Sequence, residues 1–208
     1  LFELLKDLFM ITIIDYGSGN LRSVQRSLQR FYPDVIISNE KYKIEGALGI
    51  VLPGVGAFGD AVQELKKKDL FELLKQIIPK TPTLGICLGL QLLFDKSEES
   101  PGIEGLGIIP GDVKKLSSTS TIRVPHTGWN RVISIKEPHF SGFAYFNHAY
   151  YCNAVDSTSM IAFSLHGIKF GVIFKYGTIL AIQFHPEKSK TLGESILKYW
   201  ISSLKDKV

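Results

Sequence analysis

The chain has 208 residues, of which 45% are hydrophobic and 21% charged, and its 24 Lys and Arg against 20 Asp and Glu leave a formal net charge of +4. At roughly 100–200 residues per domain this length fits one domain with a sizeable buried core, and the composition excludes a collagenous, disordered or disulfide-dense chain. No run approaches the roughly 20 uninterrupted apolar residues that a membrane crossing needs, and the basic clusters Lys66-Lys67-Lys68 and Lys114-Lys115 read as solvated faces, so neither a membrane nor a nucleic acid is an expected partner.

Residues 1–9 are apolar but contain Glu3, Lys6 and Asp7, with no basic leader and no small-residue cleavage site. They read as an N-terminal extension of unknown role and not as a secretory signal. The six residues Leu1 to Lys6 recur letter for letter at Leu70 to Lys75, too short a match for a repeat architecture; both copies read as amphipathic helical turns. Two cysteines, Cys87 and Cys152, and five histidines show no ligand-like spacing, so no metal or other cofactor is expected and a reducing cytoplasm is the expected compartment.

Met10 to Ile14 is a β-branched run that leads into the turn-rich Asp15-Tyr16-Gly17-Ser18-Gly19-Asn20, which predicts a buried strand and a loop. Asn20 is placed to cap a helix in which Leu21, Val24, Leu28 and Phe31 recur at helical spacing until Pro33. The alternation continues with strands at Val35 to Ile37 and Leu48 to Leu52, helices at Asp60 to Lys68 and Leu70 to Ile78, and a strand at Thr83 to Cys87. Such alternation implies an α/β fold, a mostly parallel sheet with helices on both faces. After Ser97 come shorter runs, Arg131 to Ile135, Ser159 to Leu165, Phe170 to Lys175 and Thr178 to Gln183, which read as additional antiparallel or mixed strands; Leu192 to Leu204 reads as a closing helix. No linker divides residues 10–208, which read as a single domain.

Gly85-Ile86-Cys87-Leu88-Gly89 follows a predicted strand and opens a helix, the nucleophile-elbow pattern with Cys as nucleophile. A sharp strand-to-helix turn crowds the neighbours two positions away, which is why both flanks are glycine. It also sets the sulfur at a helix N-terminus, where the positive dipole end favours thiolate. A lone cysteine is ordinarily a small buried hydrophobe, and Cys152, with no such setting, is read that way. A thiol nucleophile needs a base and the base an orienter. If the strand Thr178 to Gln183 runs on to Glu187, the period of two puts His185 and Glu187 on one face. His139 and His166 lack such a setting and read as ordinary surface or core residues. The glycines of Pro53-Gly54-Val55-Gly56, at the end of the strand Leu48 to Leu52, let backbone N–H groups approach a developing oxyanion.

Gly85-Ile86-Cys87-Leu88-Gly89 with His185-Pro186-Glu187 resembles the class I (triad) glutamine amidotransferases, whose fold is flavodoxin-like. Within that group, Ile14 to Leu21, Pro53 to Phe58, Pro125-His126-Thr127-Gly128-Trp129-Asn130, Tyr145-Phe146-Asn147-His148 and His185 to Ser189 are similar to the glutaminase subunits of imidazole glycerol phosphate synthase, a match running from about Met10 to the C-terminus. The resemblance implies that Cys87 attacks the carboxamide of glutamine, that His185 relays protons and that Glu187 orients His185. It implies that Gly54 and Gly56 serve the oxyanion and substrate pocket, that Gln91 contacts substrate and that Glu99 receives its α-amino group. Ammonia then passes to a (β/α)8 cyclase partner in a heterodimer of histidine biosynthesis, with Asn20, His126, Trp129, Tyr145 and Lys188 on the surface facing that partner. The chain departs from the family at Thr127, usually Met, at Asn147, usually Val, and at Ala149, usually Ser or Thr. The alternatives are a triad glutaminase of another synthase (anthranilate or pyridoxal phosphate), or a non-enzymatic cysteine-elbow protein; the His185 and Glu187 pair argues against the latter, which needs no oriented base.

Overall fold

The structure is a computed structural model that describes residues 9–204. The expected N-terminal extension and its helical turn therefore lie outside the described residues, apart from Phe9.

The first half alternates strands and helices: β1 (Ile11–Ile14), α1 (Leu21–Gln29), β2 (Val35–Ser38), α2 (Lys41–Glu45), β3 (Gly49–Leu52), α3 (Phe58–Lys67), α4 (Phe71–Ile77), β4 (Thr83–Ile86) and α5 (Leu88–Leu92). Every residue of β1, β3 and β4 is buried, as expected for parallel strands covered on both faces. The cover differs on the two sides. Val24 and Leu28 of α1 share one core with Leu192, Ile196 and Trp200 of the last helix, α6 (Lys190–Leu204). Val62 and Leu65 of α3, Leu74 of α4 and Leu90 of α5 share the other. Each buried leucine or phenylalanine contributes roughly 1.5–3 kcal/mol to holding these layers together.

Asn20 stands at the N-cap of α1, but its side chain makes no capping bond; its backbone carbonyl accepts from Ser23 and Val24 instead.

The second half is more strand-rich than the sequence pattern predicts: β5 (Phe94–Ser97), β6 (Ile109–Lys115), β7 (His126–Ser134), β8 (Gly142–His148), β9 (Tyr150–Ala154), β10 (Met160–His166), β11 (Ile168–Tyr176) and β12 (Ile179–Ile182). Nine strands form one sheet in the order β2-β1-β3-β4-β12-β11-β10-β7-β8, and β5-β6-β9 form a second. β12 runs parallel to β4 and antiparallel to β11, so it joins the parallel half to the antiparallel half. That register sets the residues following β12 beside those following β4, at the carboxyl ends of the parallel strands where open α/β sheets gather their sites. Among the described residues no helix is long and apolar enough to cross a membrane.

Candidate active site

Between β4 and α5 the backbone turns at Cys87 with φ +53° and ψ −109°, a strained conformation for a residue with a side chain. The Cys87 N–H donates to the Ile182 carbonyl of β12 at 2.8 Å, which locks the turn to the neighbouring strand. The glycines on either side have distinct reasons. A Cβ at Gly89 would collide with the Leu52 carbonyl oxygen, and one at Gly85 would come within 3.1–3.3 Å of Leu93, Ala181 and Leu90. Cys152, on β9, has no elbow; burial pushes its thiol well above the usual range and keeps it protonated.

His185 and Glu187 come together, but not on a continued strand. β12 ends at Ile182, and Pro186–Lys188 form a single 3₁₀ turn. Pro186 carries no N–H for a strand ladder, and its fixed φ suits the first turn position. The turn brings Glu187 Oε1 to 3.1 Å from His185 Nδ1, with the two side chains 2% and 6% exposed. His185 and Cys87 line the same cleft, and the imidazole interacts with the Cys87 sulfur. Burial works against the charged imidazole, yet hydrogen bonds to Cys87 and Glu187 outweigh it and push His185 up to about 10. Glu187 Oε2 has no hydrogen-bond partner among the described residues, so the carboxylate's one strong interaction is with the imidazole. Ser189 clamps the segment, donating to the His185 carbonyl at 2.6 Å and accepting from the Tyr145 N–H of β8 at 3.0 Å.

A cleft of about 190 Å³ opens over this pair and brings Gly56, Cys87, Gln91, Glu99 and His185 together. Gly56, at φ +99° with open space where a Cβ would stand, leaves its backbone accessible. Gly54 does not reach the cleft: it is buried where a Cβ would meet the Tyr16 hydroxyl and Leu88, so its glycine is needed for packing. Tyr16, kept protonated by burial, donates to the Pro53 carbonyl at 2.7 Å and holds the same loop. The Ser18 hydroxyl accepts from the Val55 N–H at 3.3 Å and donates to the Val55 carbonyl, so both peptide groups flanking Val55 are tied to Ser18. Glu99 accepts from the Phe58 N–H at the start of α3 at 2.8 Å, and Gln91 donates to the Tyr150 carbonyl at 3.2 Å.

Of the residues expected on a partner surface, Asn20 and Lys188 are exposed, Trp129 is 49% exposed and Tyr145 is half-buried. Trp129 and Tyr145 are directly opposite across β7 and β8, with ring centroids 6.2 Å apart, and Lys188 Nζ lies 5.4 Å from the Tyr145 ring. His126 is a correction: it is 4% exposed, stacked between Phe146 and His166. Its Nδ1 lies 3.0 Å from His148 Nε2, its Nε2 3.0 Å from Asn130 Nδ2, and His148 Nδ1 lies 2.8 Å from the Tyr150 carbonyl. The terminal carbonyl fixes the tautomers: His148 donates to Tyr150, His126 donates to His148, and Asn130 donates to His126. Burial lowers His126 to about 4 and His148 to about 3, so both rings are neutral at pH 7.

The sequence reading gave no role to His148, Tyr16 or Ser18, nor to Gln183. Only Gln183 carried a usable signal, the period of two that sets it on the side of the chain that His185 shares. The departures Thr127 and Asn147 are cross-strand partners, joined by a 3.0 Å hydrogen bond from Thr127 Oγ1 to Asn147 Oδ1. Ala149 contributes its backbone, its carbonyl accepting from the Leu116 N–H at 2.9 Å.

A cysteine at a strand-to-helix elbow, with an imidazole beside it and a carboxylate behind the imidazole, is the arrangement of thiol-dependent acyl-transfer enzymes of the α/β type. The family model Glutamine amidotransferase class-I matches residues 12–201. The chain is 41% identical over 196 residues to imidazole glycerol phosphate synthase subunit HisH of Bacillus cereus (strain G9842), covering 91% of this chain and 92% of that protein. It is 42% identical over 196 residues to the HisH subunit of Moorella thermoacetica (strain ATCC 39073 / JCM 9320), covering 90% and 92%. A solved structure described as a crystal structure of glutamine amidotransferase shares the fold, with a TM-score of 0.75 at 17% identity over 93% of this chain and 98% of that one. The chain belongs to the class-I glutamine amidotransferases and, within them, to the family of HisH subunits of imidazole glycerol phosphate synthase.

Proposed function

We propose that the chain hydrolyses L-glutamine to glutamate and ammonia with Cys87 as nucleophile, His185 as proton relay and Glu187 as its orienter. The ammonia passes to a (β/α)8 cyclase subunit, with which the chain forms the cytoplasmic heterodimer that makes imidazole glycerol phosphate. The observation that carries the chemistry is His185, with Nδ1 held by Glu187 and its ring lining the same cleft as the Cys87 sulfur at the elbow. Residues 10–208 act as one amidotransferase domain, with residues 1–9 as an extension.

In the first step the Cys87 thiolate bonds to the carboxamide carbon and the carbonyl electrons move to oxygen. As the C–N bond breaks, His185 gives its proton to the leaving nitrogen, leaving ammonia, a glutamyl thioester and a neutral imidazole. The imidazole then takes a proton from water as the water oxygen attacks the thioester, and the C–S pair returns to sulfur. Backbone donors for the oxyanion come from the Leu88 N–H, just past the nucleophile, and from the Gly56 segment. Gln91 and Glu99, both lining the cleft, hold the amino-acid end of the substrate. Trp129 and Tyr145, with Lys188 and Asn20, face the cyclase, which fits the enrichment of large aromatics in the centres of protein interfaces. Relatives named as synthase subunits support a partner; the cyclase and its barrel rest on the motif resemblance.

The test measures glutamate formed by the chain alone, with the cyclase, and with the cyclase carrying its nucleotide ligand. Activity is expected to be very low alone, because Ser18 holds the Val55 amide, and to rise about 10²–10³-fold when the loop turns and gains an oxyanion donor. Cys87→Ala abolishes the activity and Cys152→Ser leaves it near wild type. Equal rates under all three conditions would remove the gating role of the loop, and wild-type turnover in Cys87→Ala would remove the mechanism.

A further inference from the structure

Gln183 directly follows β12, is fully buried, and donates its backbone N–H to the Val172 carbonyl of β11 at 2.9 Å. Its side-chain Nε2 lies 3.8 Å from the Cys87 sulfur, within hydrogen-bond reach of so large an acceptor atom. Oxygen and nitrogen of an amide are interchangeable by shape, so the orientation has to follow from the neighbours. Here a backbone group decides it. The Tyr150 carbonyl can only accept, so the Gln91 atom 3.2 Å from it is the amide nitrogen. That nitrogen lies 3.4 Å from the Gln183 amide and offers it a proton, so the Gln183 atom it meets is oxygen and the atom facing Cys87 is the NH₂ group.

We propose that Gln183 is a further catalytic residue: its carboxamide N–H donates to the Cys87 sulfur, and Gln91, seated on the Tyr150 carbonyl, holds that amide in the donating orientation. The inference rests on Cys87 being the nucleophile. A donor aimed at sulfur favours the thiolate over the thiol, because hydrogen bonds to an ion are about twice as strong as those to a neutral group. It acts when the thiolate first forms, and again when water adds to the thioester, the C–S bond breaks and the electron pair returns to sulfur. The titratable groups that also act on this sulfur or are acted on by it are His185 after β12, Tyr16 after β1 and Cys152 on β9. His185 gives its proton away during the cycle; the amide of Gln183 remains a donor throughout. Gln91 thus has two tasks, lining the substrate cleft and setting the orientation of the donor to sulfur.

The experiment is alkylation of the full chain by iodoacetamide, without glutamine or partner, following the modification of Cys87 by peptide mass spectrometry from pH 6 to pH 10. In Gln183→Leu the rate is expected to fall about tenfold at the acid end of the range, the loss of a hydrogen bond to a charged group, and to return to the wild-type rate at the alkaline end. Gln183→Met, of similar length, removes the donor without adding an ionisable group and should slow the reaction about as much. Gln91→Leu, which frees the Gln183 amide to turn, gives a smaller fall of the same kind and supplies the comparison if neither Gln183 variant folds. A role in packing alone would lower the melting temperature and leave the rate profile where it was. A wild-type profile in any folded Gln183 variant, or in Gln91→Leu when it is the only folded one, overturns the inference. If Cys87 of the wild type reacts no faster than Cys152 at pH 7, the nucleophile assignment fails and this inference falls with it.

Discussion

Glu187→Gln isolates the charge behind the imidazole. In the structure Glu187 Oε1 is 3.1 Å from His185 Nδ1, both side chains are almost wholly out of solvent, and the other carboxylate oxygen has no partner among the described residues. Glutamine keeps the shape and an acceptor oxygen, so the ring keeps its orientation while losing a buried countercharge. A hydrogen bond to a charged group is worth about 1.5–3 kcal/mol, and at about 1.36 kcal/mol per factor of ten the turnover number should fall roughly 10- to 150-fold. Glu187 lies behind His185 and does not line the cleft, so KM should stay within about twofold. Steady-state glutamate formation with the synthase partner present, at several glutamine concentrations, separates the two constants. An unchanged turnover number, or an effect confined to KM, would refute the role assigned to Glu187.

Gly89→Ala would drive a methyl group into the Leu52 carbonyl oxygen; overpacking of this kind typically costs about 1–3 kcal/mol, so the melting temperature followed by circular dichroism should drop by roughly 3–10 °C, and an unchanged melt would contradict the tight elbow. His126 and His148 are held neutral, lowered to about 4 and about 3. The unfolded chain therefore binds more protons than the folded one as pH falls below about 6.5, and stability declines across that window. Thermal melts between pH 7 and pH 5 should show this decline, and it should be shallower in His148→Gln; identical slopes would mean that His148 is not held neutral. His185 acts in the opposite sense. Its folded value, pushed up to about 10, lies above the unfolded one, so its contribution is full below about pH 6.5 and is lost as pH rises toward 10; melts of His185→Gln should lose less stability than wild type over that alkaline range.

The parallel half was legible because its strands are short, mostly apolar and separated by helices with one apolar face; α3 and α4 fall within two residues of the expected bounds at every end. The antiparallel half was harder for a physical reason. β8, with the sequence Gly-Phe-Ala-Tyr-Phe-Asn-His, buries Ala144, Phe146 and His148 and exposes Phe143 and Asn147, so hydrophobicity along the chain does not report which face is inside. The elbow was readable from two glycines, whose separate collisions only three dimensions disclose. His185 and Glu187 meet as expected, through a turn that begins at Pro186 and not through strand periodicity. His126 was misplaced on the surface because the ring stacks of Phe146 and His166 come from strands distant in sequence. Gln183 went unassigned for a similar reason: its meaning depends on a carbonyl at Tyr150 and an amide at Gln91, neither of which is near it along the chain.

The most direct test of the central claim is covalent labelling by a glutamine analogue that carries a diazoketone in place of the carboxamide, added to the chain with its synthase partner. One label per chain on Cys87, with loss of glutamine hydrolysis in proportion and protection by glutamine, is the predicted result. A label on Cys152, or full inactivation with Cys87 unmodified, would contradict the assignment of Cys87 as the nucleophile of a glutaminase.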